Sequence, residues 1–362
     1  MSKASYRWLH VAPPADIAGF ASRASRTMTA FSKGVTHDVA AATEAFERPA
    51  GVRGATIDFP AIEGAPTPGK LNRIAKALAG YDLVLTHGYG AMNVVMAHTA
   101  FGQAYTLPPL IHHESETDSA GKSTRADWYR RVALGRSNGL VVPTERLEER
   151  ALVDWQQPMG RVKGIADGIE IEDYRKTPKP DSLPRLIKRS GECWIGTIAP
   201  DARSGLGELF AVLSDLPEFW HLVVLGVEDR ESLTERAAGF GIDDRVHAPQ
   251  RGVAPKAIMG LFDLFAMPAA DHVPVTVPMA AMAAGVPVTH RGTVEQIETL
   301  PEALRTLSDP AEDLRRLAQS NEERRRLGEL ARKHARTAYD ATPMWGKLRR
   351  LYASAMGAPD LP

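Results

Sequence analysis

The sequence predicts an α/β protein built as two parallel-sheet halves. Three observations carry this. Strand-like apolar runs alternate with helix-like segments from one end to the other. The length of 362 residues sets a prior of two domains. Residues 174–190, YRKTPKPDSLPRLIKRS, hold three prolines and six Lys or Arg, the composition of a charged, extended linker.

The N-terminal half opens with YRWLHVA as a strand, followed by a loop and an amphipathic helix through FASRASRTMTAFSKG. THDVAAATE and RGATIDFP read as further strands, and KLNRIAKALAG as a helix. YDLVLTHGYG is the clearest strand of this half and runs into a loop with His87, Gly88 and Gly90. The helix AMNVVMAHTAFG, the strand LPPLIHH and the basic helix TRADWYRRVALGRS come next. NGLVVPT is a strand whose Thr144 caps the helix ERLEERALVDW, and RVKGIADGIEIEDY closes the half.

Beyond the linker, ECWIGTIA is a strand, RSGLGELFAVLSDL a helix, WHLVVLG a strand, ESLTERAAGFG a helix and DRVHAP a short strand. Residues 258–293 are the organising stretch. LFDLFAMP is a buried strand ended by Pro268, and AADHVP is a loop carrying Asp271 and His272. VPMAAMAAG is a helix with a tolerated first-turn proline, stopped by Gly285, and VPVTH is a second buried strand. Ligands of parallel sheets bind at the carboxyl ends of strands, which is where Asp271 and His272 fall. A polar loop that binds nothing is the alternative. From 302 onward the chain is helical and charged, ending in WGKLRRLYASAMG.

Composition excludes several classes. Lys plus Arg and Asp plus Glu both number 44, so no bulk charge holds nucleic acid. The single cysteine, Cys193, excludes an internal disulfide framework and a cysteine zinc cage. MSKASYRWLHVAPP has no apolar signal core, so export is not expected. The most apolar run, 273–288, is broken by three prolines and cannot span a bilayer as a helix. The expected location is cytoplasmic, with peripheral contact at the inner face of a membrane left open. Adjacent histidines on a strand point to opposite faces, so His112 and His113 do not make a metal site.

Taken in order, YDLVLTHGYGAMNVVMAH, LIHHESET, VVPTERLEERALVDW, RVKGIADGIEIEDY, ECWIGTIA, WHLVVLG and MAAMAAGVPV resemble a GT-B glycosyltransferase of the retaining, family-4 type. The resemblance spans about residues 5–355. It implies two Rossmann-like domains facing across a cleft, 1–172 on the acceptor side and 191–342 on the nucleotide-sugar side. It also implies a last helix, within 343–362, that crosses back to the N-terminal domain. The implied activity is transfer of a sugar from a nucleotide-sugar to a glycan or lipid-linked acceptor, with retention and without metal or other cofactor, in polysaccharide or cell-envelope glycan synthesis. A catalytically inactive relative that binds a glycan, or scaffolds an active transferase, is the alternative; an epimerase or phosphorylase of similar fold is a third reading.

The departures from the family pattern motivate the alternative. The donor site of the family carries two glutamates. The second falls on Ala280, and the first on His272 or, with a one-residue shift, on Asp271. The diphosphate-binding Arg and Lys fall near Pro200 and Ser204, leaving Arg203 as the cation of GTIAPDARSGLGEL. The glycine-rich loop after the first strand is reduced to Gly19, and the Asn-Gly-x-Asp turn appears as Asp167 and Glu170.

The resemblance places a sugar-contacting histidine at His113, with Glu114 to orient it or to meet the acceptor. His87 is a second candidate. On the donor side it points to Asp271, His272, Thr276, Arg203, Gly196, Thr197 and Gly19. Each has a plainer reading: a solvated loop for Arg203, a packing residue for Thr276, a locally satisfied histidine for His113. The basic helices TRADWYRRVALGR and WGKLRRLY pair aromatics with Arg and fit an anionic membrane surface or an ordinary solvated face.

Overall fold

The computed structural model describes residues 5–41, 46–114, 123–199, 205–249, 253–267, 273–290, 294–307, 309–359 and 361. The elements, in order, begin β1 (Tyr6–Val11), α1 (Arg23–Ala30), β2 (Val35–Ala40), α2 (Pro68–Ala77), β3 (Leu83–His87), α3 (Met92–Phe101) and β4 (Leu110–His113). Next are α4 (Thr124–Ala133), β5 (Gly139–Val142), α5 (Glu145–Val153), β6 (Val162–Gly164), β7 (Cys193–Ile198), α6 (Leu206–Asp215), β8 (Trp220–Leu225) and α7 (Arg230–Ala238). The remainder is β9 (Val246–His247), β10 (Leu264–Met267), α8 (Thr276–Ala284), β11 (Val288–His290), α9 (Val294–Glu298), α10 (Glu302–Arg305), α11 (Pro310–Ala318), α12 (Asn321–Ala338) and α13 (Ala341–Met356).

Contacts divide the chain into two units. The first comprises Met1–Asp16, Ala21–Ala166 and Pro343–Pro362; the second comprises Ile17–Phe20 and Asp167–Thr342. The segment read as a free linker belongs to the second unit. Its Leu183 is buried in that unit's core, and Lys188 forms an ion pair with Asp263 at 2.7 Å. Burial of one leucine and one ion pair turns an extended segment into packed structure.

The first unit has a six-stranded parallel sheet in the order β2-β1-β3-β4-β5-β6. The central strands β3, β4 and β5 are buried along their whole length, which is why they read as nearly continuous runs of strand-forming residues. Alternation puts Trp8 and His10 on one face of β1 and Leu9 and Val11 on the other. Leu9 and Val11 join the core formed with α2 and α3. Trp8 lies 5.3 Å from Phe31, at the end of α1, and 5.4 Å from Tyr352 of α13 (ring centroids). The sequence RGATIDFP was expected as a strand. Residues 53–57 run beside β2, with His37 N–H donating to the Arg53 carbonyl, Val39 N–H to the Ala55 carbonyl and Ile57 N–H to the Val39 carbonyl, but the pairing amounts to the single bridge of Thr56 to Val39; Gly54, at φ +142°, lies where a Cβ would clash with the His37 carbonyl.

The second unit has a five-stranded parallel sheet in the order β11-β10-β7-β8-β9. The order reverses between β7 and β10, the switch point at which parallel sheets leave a crevice at the carboxyl ends of their strands. The helix α8, all of it buried, ends where Gly285 takes φ +77°. Gly328 of α12 approaches the Gly285 carbonyl so closely that a Cβ would stand 2.2 Å from it.

Candidate functional site

The first unit gathers histidines at the carboxyl ends of its central strands. In β4, His112 and His113 face opposite ways. His112 Nδ1 lies 2.9 Å from Thr86 Oγ1, and its Nε2 lies 3.3 Å from Glu114 Oε2. Arg130 of α4 donates to Glu114 through Nε at 2.8 Å and Nη2 at 2.9 Å. Burial pushes the Glu114 carboxyl up, but the hydrogen bonds from His112 and Arg130 together outweigh it and hold the group at about 2. Glu114 is therefore an ionised carboxylate with its oxygens committed to the protein. It anchors α4 to β4 and has no proton to give at neutral pH.

His113 is buried. Its Nε2 lies 2.8 Å from the Tyr352 hydroxyl, while Nδ1 is buried without a hydrogen-bond partner. Burial, reinforced by His87 and Arg23, drives its pKa well below the ordinary histidine value, so the ring is neutral. His87, in register with His113 on β3, lies with its ring 5.2 Å away and 20° from parallel. His87 Nε2 approaches His10 Nδ1 at 3.3 Å, His10 Nε2 approaches His37 Nδ1 at 3.0 Å, and His37 Nε2 lies 3.2 Å from the Phe31 carbonyl. Burial is the leading cause that lowers His37 to about 4 and His87 to about 3, and it takes His10 well below the ordinary value too. One sheet face thus carries four buried, uncharged imidazoles.

In the second unit, α8 follows β10, one of the two strands that flank the switch point. Its N-cap residue, Val275, offers no side-chain cap, and its first turn holds no acidic residue. The leading N–H groups and the helix dipole favour an anion there. Thr276, at the first helical position, is buried with its Oγ1 lacking any hydrogen-bond partner. A buried hydroxyl is rarely left unpaired, so a ligand oxygen is a fitting occupant. Ala280 is fully buried one turn on.

The other donor-side candidates fall differently. Gly196 faces Phe262, whose ring would stand 2.5 Å from a Cβ, so close packing alone accounts for the glycine. Thr197 is buried and its hydroxyl donates to the Ala266 carbonyl at 2.8 Å. Gly19 takes φ +84° and leaves room for the Val253 carbonyl. Arg203, Asp271 and His272 lie outside the described residues. Among the described residues, no group of three or more His, Cys, Asp or Glu side chains is arranged to hold a metal ion. No helix among them is long and apolar enough to cross a membrane.

Solved structures with this architecture cover nearly the whole chain. A sucrose-phosphate synthase from Thermosynechococcus elongatus matches at a TM-score of 0.69 and 14% identity, over 97% of this chain and 99% of the other. HepE of Anabaena, in complex with UDP and glucose, matches at 0.70 and 13% identity, over 96% and 100%. The chain has the GT-B fold. A putative UDP-N-acetylglucosamine 2-epimerase from Listeria monocytogenes, at 0.62 and 15% identity over 99% of each chain, shares it as well. The fold therefore does not choose between transfer and isomerisation. No family model matches the sequence, and no curated protein sequence matches it.

Sequence reasoning missed His10, His37, Tyr352 and Arg130. A signal was present for the histidines: His10 and His37 occupy buried positions of otherwise apolar strands, and a buried imidazole needs partners. Arg130 sits in a helix read as basic and solvated, yet it is buried beneath Tyr89 and Trp155, with its guanidinium 4.7 and 4.8 Å from their ring centroids.

Proposed function

We propose that this protein transfers a sugar from a nucleotide-sugar donor to a glycan or lipid-linked acceptor, with retention and without a metal or other cofactor. The observation that carries the reading is the α8 N-terminus. It offers backbone N–H groups and the unpaired Thr276 hydroxyl after β10, one of the two strands that flank the switch point of the second sheet. Negative charge grows on the departing diphosphate during transfer, and preorganised donors aimed at it lower the barrier. Thr276 and the first turn of α8 hold the diphosphate. Asp271 and His272 meet the sugar hydroxyls, and Arg203 adds a cation; Gly196 and Thr197 serve the packing and hydrogen bonding of the second unit's core. His113 contacts the sugar. Glu114 does not touch His113; it holds His112 and Arg130 on the opposite face of the sheet.

A helix face supports peripheral contact with an anionic membrane at the cytoplasmic side. On α4, Arg125, Trp128, Arg131 and Val132 are exposed on one face, while the acidic Asp127 is turned to Arg150 at 2.7 Å. This suits a lipid-linked acceptor in cell-envelope or polysaccharide synthesis.

One observation favours the inactive alternative. The buried methyl of Ala280 cannot bind a ribose hydroxyl where the resemblance implies a glutamate. The two readings part on one assay. Incubation with UDP-glucose and a lipid-linked glycan acceptor yields UDP and an extended product if the protein is a transferase. Nucleotide binding with no release of UDP from any sugar donor overturns transfer in favour of the partner role.

A further inference from the structure

Seven large hydrophobic side chains are exposed among the described residues, and four of them fall within one stretch of the first unit. They are Trp128 and Val132 of α4, Val153 at the end of α5, and Met159 in the loop that follows. Trp128 and Val153 expose 62% and 64% of their surface. An apolar cluster of this kind marks an interaction face. The elements that carry it are tied together. The Asp127 carboxylate of α4 accepts from Arg150 Nη2 and from Trp155 Nε1, each at 2.7 Å, and Gln157 Nε2 donates to the Arg131 carbonyl at 3.3 Å.

Charge on this face is divided between the two helices. α4 exposes Arg125 and Arg131, whereas α5 exposes Glu149 and ends on the exposed Asp154. Arg146, also exposed on α5, lies a turn before Arg150, away from the apolar side chains. The opposite charges stand at matching heights. Each helix returns from the carboxyl end of one parallel strand to the start of the next, so α4 and α5 run in the same direction. The Asp127–Arg150 ion pair sets their register. Arg131 is four residues beyond Asp127, and Asp154 is four beyond Arg150, so the two stand level. On the other side of the ion pair, Arg125 and Glu149 stand within one residue of level, about 1.5 Å. By the same measure Val153 falls between Trp128 and Val132.

We infer that this face binds a second copy of the chain, with α4 of each copy lying against α5 of the other. A two-fold axis running along the helices, between α4 and α5, exchanges the two helices and keeps every height. Arg125 then meets Glu149 of the second copy, and Arg131 meets Asp154 of the second copy, each pair being made twice. Trp128 and Val132 close on Val153 of the second copy, which puts an aromatic anchor at the centre and charges at the rim. Asp154 is open to a new partner, because Arg150 of its own chain stands 3.7 Å away. A second copy matches both halves of the face at once. An anionic membrane is drawn to α4 but repelled by Glu149 and Asp154, so contact of α4 with a bilayer requires the second copy to leave. The inference does not depend on sugar transfer.

Sedimentation velocity of the full-length protein tests it. The expected mass at micromolar concentration is twice the 39.3 kDa of one chain. Arg131→Asp sets like charges against each other at two places and is expected to weaken the dimer about tenfold, the effect of losing two exposed ion pairs. Asp154→Arg is expected to do the same. The two changes in one chain re-form the pair with its signs exchanged and are expected to restore the dimer, which a folding defect would not do. Trp128→Ser is expected to leave a monomer of unchanged Tm. A parent protein that stays monomeric at submillimolar concentration overturns the inference, as does a dimer that neither charge reversal weakens or that the exchange fails to restore. A monomer that binds phosphatidylglycerol vesicles, and loses them in Trp128→Ser, gives the face to a bilayer and overturns the inference as well.

Discussion

Glu114 accepts two hydrogen bonds from Arg130, at 2.8 and 2.9 Å, with both side chains buried. Breaking such a pair strands a charge away from water, at a cost of about 3–5 kcal/mol. Glu114→Ala is expected to lower stability by that amount in urea unfolding. A full-strength fold with activity abolished would instead mark Glu114 as a participant in the chemistry.

The four buried histidines make the protein acid-sensitive. Unfolded histidine titrates near pH 6.5, whereas folded His37 and His87 titrate at about 4 and about 3. As pH falls below 6.5 the unfolded chain takes up protons that the folded chain refuses. The stabilisation from each neutral ring is present above pH 6.5 and is lost as pH falls toward its folded value. The slope is about 1.4 kcal/mol per pH unit for each ring. A steep fall in Tm between pH 6.5 and 4 is expected, before Glu114 begins to protonate. His37→Phe should flatten that slope by about one proton; a Tm level across that range would contradict the account.

Thr276→Val keeps the shape and removes a hydroxyl that makes no hydrogen bond in the free protein. Stability is expected to hold or to rise slightly, because an unpaired buried hydroxyl stabilises nothing. Affinity for UDP is expected to fall by about 1.5–3 kcal/mol, the range for a hydrogen bond to a charged group. Calorimetry on the two proteins checks this, and equal affinities would remove Thr276 from the site.

Gly196→Ala drives a methyl into Phe262. Overpacking of this kind costs about 1–3 kcal/mol. The expected result is a lower Tm with UDP affinity retained. Loss of UDP binding at unchanged Tm would show that Gly196 makes room for the ligand and not for Phe262.

Much of the fold was legible because buried parallel strands announce themselves. YDLVLTH, LIHH and LFAM are apolar runs of strand length, and Gly285 stops α8 as its position predicts. RGATIDFP does pair with β2 through backbone hydrogen bonds over residues 53–57, but the pairing shrinks to the single bridge of Thr56 to Val39, a length that β-branched composition does not reveal. The site was less legible. Thr276 could be placed at a helix start from Pro278 and the alanines, but its lack of a partner is a property of packing. Tyr352 lies 239 residues from His113, and nothing local in WGKLRRLYASAMG marks its hydroxyl as the partner of that ring.

Sugar transfer by this protein requires that the α8 N-terminus take a nucleoside diphosphate. Thermal unfolding of the full-length protein with UDP measures that binding. A ligand that binds only the folded state at a hundred times its Kd adds about 2.7 kcal/mol, so Tm is expected to rise with UDP concentration, and to rise less in Thr276→Val. A Tm that stays unchanged at millimolar UDP and UDP-glucose rules the site out.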